Sequence, residues 1–106
     1  MRSSITEHHD VDANGNPAGG QTTGRGFWIN WQNGPLAVDG VRREPTGAFV
    51  EDIIRAAFGR IECYQATRFA CAENAEALLH LRHAAAALEK RTKNREARGV
   101  EGTHAV

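Results

Sequence analysis

Large aromatic residues are scarce in this 106-residue chain, which has two Trp, one Tyr and four Phe. Such rings supply much of the buried area in a small core, so a chain this short and this poor in them is only marginally stable alone. Net charge is also absent, with 13 basic against 13 acidic residues. No global field draws the molecule to nucleic acid or membrane, so an anionic ligand has to be met by a local cluster. No apolar run approaches the roughly 20 residues of a membrane span. Met1 to Asp10 is polar and has no apolar stretch of the signal-peptide kind, which leads to the expectation of a cytoplasmic location. The two cysteines, Cys63 and Cys71, lack the Cys-x-x-Cys spacing of zinc or redox sites and are expected to be reduced, small buried apolar groups. Ser3 and Ser4 are the only serines, so no Gly-x-Ser-x-Gly elbow exists. The glycine-rich stretch Gly19–Gly26 lacks the Gly-Lys-Ser/Thr ending of a phosphate loop. With no nucleophile in a recognisable setting, the residues favour binding over turnover: no enzyme and no cofactor are expected.

What is present divides into three stretches. Residues 1–24 are rich in Gly, Asn, Thr, Asp and His, and Asn14 to Gly20 offers turns but little to bury; this reads as a mobile polar arm. From Gly26 to Gln32, Phe27, Ile29 and Trp31 alternate with Trp28, Asn30 and Gln32, the period-two pattern of a strand. Asn33-Gly34-Pro35 ends it, since Pro35 has no backbone donor, and Leu36 to Val41 suits a second short strand. Two helices should follow. The first, at about 47–69, starts behind Pro45 with Thr46 as cap, and Glu51 and Asp52 suit its positive end. Its apolar stripe is Phe49, Val50, Ile53, Ile54, Ala57, Phe58, Ile61 and Tyr64, interrupted by Gly59. The second, at about 72–98, presents Ala77, Leu78, Leu81, Ala84, Ala85 and Leu88 on one face and stops at Gly99, before a short, loosely held polar tail. The expected fold class is α+β: short N-terminal strands followed by a long antiparallel two-helix hairpin, oligomeric because one hairpin cannot cover both stripes. The domain would span residues 25–106, and the arm before it would be dispensable.

Several clusters carry candidate chemistry. Arg91, Arg95 and Arg98 are spaced i, i+4, i+7 and share a helical face. Their guanidinium forks match phosphate oxygens, although basic residues at a helix C-terminus also complement its dipole. His8, His9 and Asp10 have metal-ligand types but read more simply as solvated. Glu76, His80 and His83 share a helix side without the matching pair that a di-metal site needs. Trp28, Trp31 and Tyr64 can stack on a base or fill a core.

Longer strings carry a resemblance. Gly26-Phe27-x-Ile29-x-x-Gln32-x-Gly34-Pro35, Thr46 to Asp52, Tyr64-Gln65, Phe69-Ala70-Cys71-x-Glu73-Asn74-Ala75 and, above all, Arg91-Thr92-x-x-Arg95-Glu96-Ala97-Arg98-Gly99-Val100-Glu101-Gly102-Thr103-His104 resemble the first Thoeris anti-defence sponge family of phages. That family shares a hairpin domain with anti-CBASS sponges. The resemblance spans about residues 25–106. It implies a homo-oligomer, often a hexamer built from dimers. In the cytoplasm of the infected or lysogenic host, it would bind cyclised ADP-ribose signals made by TIR proteins, and for some members cyclic di- and trinucleotides, and release them intact. It also implies a pocket lined by an aromatic of the first helix, an asparagine early in the second and two arginines four apart near its end. The matching positions are Tyr64, with Phe69 as the neighbouring alternative, Asn74, Arg91 and Arg95, and Arg98 shares the arginine face. The residues alone leave two other classes in play. One is a nucleic-acid-binding module, which zero net charge disfavours; the other is a purely structural oligomerisation module.

Overall fold

A computed structural model describes residues 4–106. The order is β1 (Ile5–Val11), β2 (Pro17–Gly24), β3 (Phe27–Trp31), β4 (Ala37–Val38), β5 (Val41–Arg42), α1 (Val50–Gln65) and α2 (Ala72–Ala97). The fold class is α+β, with the strands preceding the two helices. The chain forms two compact units: residues 4–49 with Val100–Val106, and Val50–Gly99.

In the first unit β1, β2 and β3 make an antiparallel meander with β2 at the centre. This corrects the expectation of a mobile arm over residues 1–24, of which residues 1–3 lie outside the described residues. The sequence of β2 buries little because the strand is held by backbone pairing on both edges rather than by side chains. Gly24 pairs with Ile5 on one side and Phe27 on the other, Thr22 with Glu7 and Ile29, and Gly20 with His9 and Trp31. Gly20 has to be glycine: its φ is 130°, and a Cβ there would run into the carbonyl oxygen of His8. The β1–β2 turn closes on Asp12, whose carboxylate accepts the N–H groups of Asn14 at 2.8 Å and Asn16 at 3.0 Å. The N–H of Asn16, then that of Asn14, hold the Asp12 carboxyl below its ordinary value of 3.8. Thr22, 5% exposed, is the sole buried residue described, and its hydroxyl accepts the Trp31 indole N–H at 2.8 Å.

The outer edge of β3 is covered by residues 46–48. Ala48 N–H donates to Asn30 at 2.7 Å and Gln32 N–H donates to Ala48 at 3.0 Å. Gly47 lies so close to β3 that a Cβ would sit 2.5 Å from Asn30 and Trp31 backbone atoms. This pairing is why α1 starts at Val50 and not behind Thr46: the Thr46 hydroxyl accepts the Asn33 N–H at 3.1 Å instead of capping a helix. Farther on, β4 and β5 form a hairpin around Asp39 and Gly40, both with positive φ (52° and 76°), the geometry of a two-residue type I′ turn. The tail is not loose. Ala37 N–H donates to the Gly102 carbonyl at 2.9 Å, and the Arg42 guanidinium pairs with the Glu101 carboxylate.

The second unit is a helical hairpin. α1 ends at Gln65, four residues short of the expected limit, because side chains in the connection capture the backbone. Thr67 Oγ1 donates to the Tyr64 carbonyl at 2.6 Å, and Gln65 makes a two-way pair with the Cys71 backbone, accepting its N–H at 2.9 Å and donating to its carbonyl at 3.1 Å. α2 stops at Ala97, with Gly99 at φ 70° donating to the Glu96 carbonyl at 3.0 Å, the glycine stop expected. Along α2 the half-buried residues are Asn74, Ala77, Leu78, Leu81, Ala85, Leu88, Thr92 and Arg95, a seam with alternating steps of three and four. From Asn74 to Leu88 it meets Ile54, Phe58, Ile61 and Gln65 of α1, which are also half-buried. Among the described residues no apolar side chain is fully buried.

Candidate functional site

The expected site residues all belong to the helical unit, at its two ends. Tyr64 is at the end of α1, 41% exposed. Its hydroxyl accepts the Arg60 Nε–H at 3.2 Å, and the Arg60 guanidinium lies 5.1 Å from its ring centroid. The hydrogen bond to Tyr64 raises the Arg60 pKa further. Phe69, the neighbouring aromatic, is exposed in the connection, with Arg68 at 4.9 Å from its centroid. Asn74, in the first turn of α2, is half-buried and donates weakly to the Phe69 carbonyl at 3.4 Å. Tyr64, Phe69 and Asn74 therefore flank the connection, the two rings each with an arginine over them.

The arginines are elsewhere. Phe58 of α1 lies level with Arg82 of α2, whose guanidinium is 5.8 Å from its ring centroid. The helices run antiparallel, so Val50 stands level with about residue 90, and the remainder of α2 extends past α1. Arg91, Arg95 and Arg98 occupy this overhang. Arg91 is exposed and Arg95 half-buried, while exposed Arg98 donates to Asn94 Oδ1 at 3.0 Å. At about 1.5 Å per residue, Arg91 is roughly 26 Å from Asn74 along α2 and Arg95 roughly 31 Å. One chain places Tyr64 and Asn74 at the connection end of the hairpin and Arg91 and Arg95 at the other.

The expectation for the cysteines is corrected. Cys63 and Cys71 are both exposed, not buried: Cys63 lies on the outer face of α1, and Cys71 serves α2 through its extended backbone at the N-cap. Trp28 is 69% exposed, whereas Trp31 is half-buried. Glu76 and His80 form an exposed pair at 3.6 Å. His8 Nε2 and Asp10 Oδ1 are 2.7 Å apart.

Sequence reasoning missed Gln32. Its Oε1 accepts the N–H of Thr46 at 2.8 Å and of Gly47 at 3.3 Å, while its Nε2 donates to the Gly34 carbonyl at 3.3 Å. This one amide ties the end of β3 to the strand beside it, so the strings around Gln32-x-Gly34-Pro35 and Thr46-Gly47-Ala48 are scaffold. Asn33-Gly34-Pro35 marks a turn, but nothing in the sequence pairs it with a segment 14 residues on. A shallow groove of about 280 Å³ also runs between the helices, with Ile54, Phe58, Leu81 and Ala85 among its lining and Gly59 on its wall.

The model of the family described as "Acb2/Tad1, hairpin domain" matches residues 28–93. That span runs from β3 through most of α2. It includes Tyr64, Asn74 and Arg91, and stops short of Arg95 and Arg98. A protein of Bacillus phage SBSphiJ7 named "Thoeris anti-defense 1" is 42% identical over 76 residues, which cover 72% of this chain and 51% of that protein. The chain thus spans about half the length of the curated relative it matches. The helical hairpin, the strand that precedes it and the extent of both matches lead to one conclusion: this chain belongs to the Acb2/Tad1 hairpin-domain family.

Proposed function

We propose that this protein is a phage anti-defence sponge, acting in the cytoplasm of the infected or lysogenic host. It sequesters cyclic nucleotide immune signals, cyclised ADP-ribose in the first place and cyclic di- or trinucleotides as further ligands, and returns them chemically unchanged. The observation that carries this reading is the overhang of α2, where Arg91 and Arg95 stand one turn apart beyond the reach of α1. Two guanidinium forks at that spacing suit a diphosphate or cyclic phosphodiester. Tyr64 and Asn74 supply the other half of a nucleotide's chemistry, a ring to stack on adenine and an amide to read a base or ribose edge.

Because the two halves lie roughly 26 Å apart along one chain, the pocket is shared. A second hairpin packed antiparallel sets its arginine end beside the first chain's Tyr64 and Asn74, and its apolar seam covers the half-buried residues that one chain leaves open. The working form is therefore a homo-oligomer, and a hexamer built from dimers accords with this. The relative's name supports the anti-defence role.

The test is capture and release. The protein is mixed with a cyclised ADP-ribose, filtered, then denatured, and the filtrate and released ligand are analysed by chromatography. Depletion followed by recovery of unmodified ligand supports a sponge. A new product makes the protein an enzyme, and the absence of depletion for cyclised ADP-ribose and cyclic trinucleotides alike ends the proposal.

A further inference from the structure

The two edges of the β-sheet are treated differently. The outer edge of β3 is covered by residues 46–48, through the Ala48–Asn30 and Gln32–Ala48 hydrogen bonds. β1 is the other edge strand, and all seven of its residues are exposed. An open edge this long is a template for another strand. Natural edges are often guarded by charge, and β1 carries Glu7 and Asp10. Their positions, however, permit one particular partner.

We infer that β1 pairs antiparallel with β1 of a second copy, about a two-fold axis at His8, making one six-stranded sheet from two three-stranded ones. In that register Ile5 faces the partner's Val11, Thr6 the partner's Asp10, Glu7 the partner's His9, and His8 the partner's His8. Every pair is of matching kind. Ile5 and Val11, 54% and 67% exposed, are the two apolar ends of the strand and cover each other. Glu7 and His9 share a face and lie 3.8 Å apart within one chain, so the pairing builds a square of alternating carboxylates and imidazoles. On the other face His8 keeps its own Asp10 at 2.7 Å, which offsets the approach of the two His8 rings. Shifting the partner by two residues toward the strand start sets Glu7 against Glu7. Shifting it by two the other way sets Glu7 against the partner's Val11 and leaves Ile5 beyond the end of the partner strand. Like charges directly opposite disfavour the first neighbour, and the loss of the Ile5–Val11 and Glu7–His9 pairs disfavours the second. A seven-residue edge buries less than a stable interface needs, so this contact reinforces association made elsewhere and is best read by trapping.

The trap is disulfide formation in the full chain, with Cys63→Ala and Cys71→Ser to remove the exposed native thiols. Directly opposed strand residues have Cα atoms about 4.5–5.5 Å apart, within the range a disulfide spans. Under mild oxidation His8→Cys forms a covalent dimer. Thr6→Cys and Asp10→Cys do not link to themselves, because like positions lie roughly 13 Å apart along the strands, but a mixture of the two variants links. Adding Glu7→Lys to the His8→Cys chain lowers the dimer yield several-fold, and His9→Glu in the same chain restores it. Circular dichroism shows that each variant keeps its fold. Failure of both the His8→Cys chain and the Thr6→Cys/Asp10→Cys mixture to link overturns the pairing. So does self-linking of Thr6→Cys as efficient as that of His8→Cys. Neither readout involves ligand, so it stands or falls apart from the sponge reading.

Discussion

The β unit and the helical unit solve the same shortage of apolar residues in opposite ways. The β unit closes on itself with polar groups: Asp12 holds a turn, Gln32 holds two loops, Thr22 receives Trp31, and Arg42 and Glu101 hold the tail. The helical unit has a regular apolar seam that is half-covered from end to end, and Arg91, Arg95 and Arg98 lie on the part of α2 that extends past α1. Internal satisfaction makes the first a scaffold with one open edge, β1. In the second, the half-covered apolar seam is surface that a second copy would cover.

The comparison breaks most severely if the chain is cut. Beginning it near Gly24 removes β1 and β2, the central strand included, so β3 loses its pairing and Trp31 loses Thr22. The β unit is expected to unfold, with Trp fluorescence moving to that of solvated indole. A truncated chain with native fluorescence would return residues 4–23 to the status of an accessory arm. Next, Gln32→Ala leaves backbone groups of Thr46, Gly47 and Gly34 without their partner and should destabilise the β unit by about 1–3 kcal/mol, read by urea unfolding. Equal stability in the variant would mean that water replaces the amide.

Arg91→Ala and Arg95→Ala sharpen the other side. A charged hydrogen bond contributes about 1.5–3 kcal/mol, so each variant should bind a cyclised ADP-ribose roughly ten- to a hundredfold more weakly by calorimetry, with the helical signal retained. Lys at either position should recover only part of the loss. Gly59→Ala comes next. Nothing in the chain lies within 4 Å of a Cβ at Gly59, and Ala is better than Gly in a helix by about 1 kcal/mol. The variant should melt higher when dilute yet associate more weakly, if a second copy approaches there; unchanged association in sedimentation would place the partner elsewhere. The smallest effect is at Asp12. Its carboxyl titrates below the ordinary value of 3.8, so its contribution is full above that value and is lost as pH falls through the lower folded one. Amide protection at Asn14 and Asn16 should fade only in that acid range, and Asp12→Ala should remove it at neutral pH.

Much of this contrast was legible in the residues. Alternation at Phe27–Trp31 marks β3, and a long run of Ala, Leu, Glu and Arg ending at Gly99 marks α2. β1 and β2 were not legible, because a strand held by its neighbours' backbones needs no apolar alternation, and the purpose of Gly20 is apparent only with β1 beside it. Asp39-Gly40 between Val38 and Val41 is a turn signal, and it splits the single strand expected over Leu36–Val41 into the β4–β5 hairpin. The start of α1 depends on Asn33, a partner distant in sequence, and its end on the Gln65–Cys71 pair across the connection, which no periodic pattern reveals. The candidate site is legible as a set of residue types. Its division between the two ends of α2 is not, since it follows from α1 being ten residues shorter than α2.

The central claim is that the pocket joins one copy's Tyr64 and Asn74 to another copy's Arg91 and Arg95. Complementation tests it most directly. Tyr64→Ala/Asn74→Ala chains and Arg91→Ala/Arg95→Ala chains are each prepared, unfolded, mixed in equal amounts and refolded, and binding of a cyclised ADP-ribose is measured by calorimetry. Each variant alone should bind negligibly. The mixture should regain full-affinity sites at a fraction of the wild-type number, since mixed pairs contain one intact pocket and one doubly impaired pocket. A mixture that binds no better than its components, although mass spectrometry shows mixed oligomers, would contradict a pocket shared between copies.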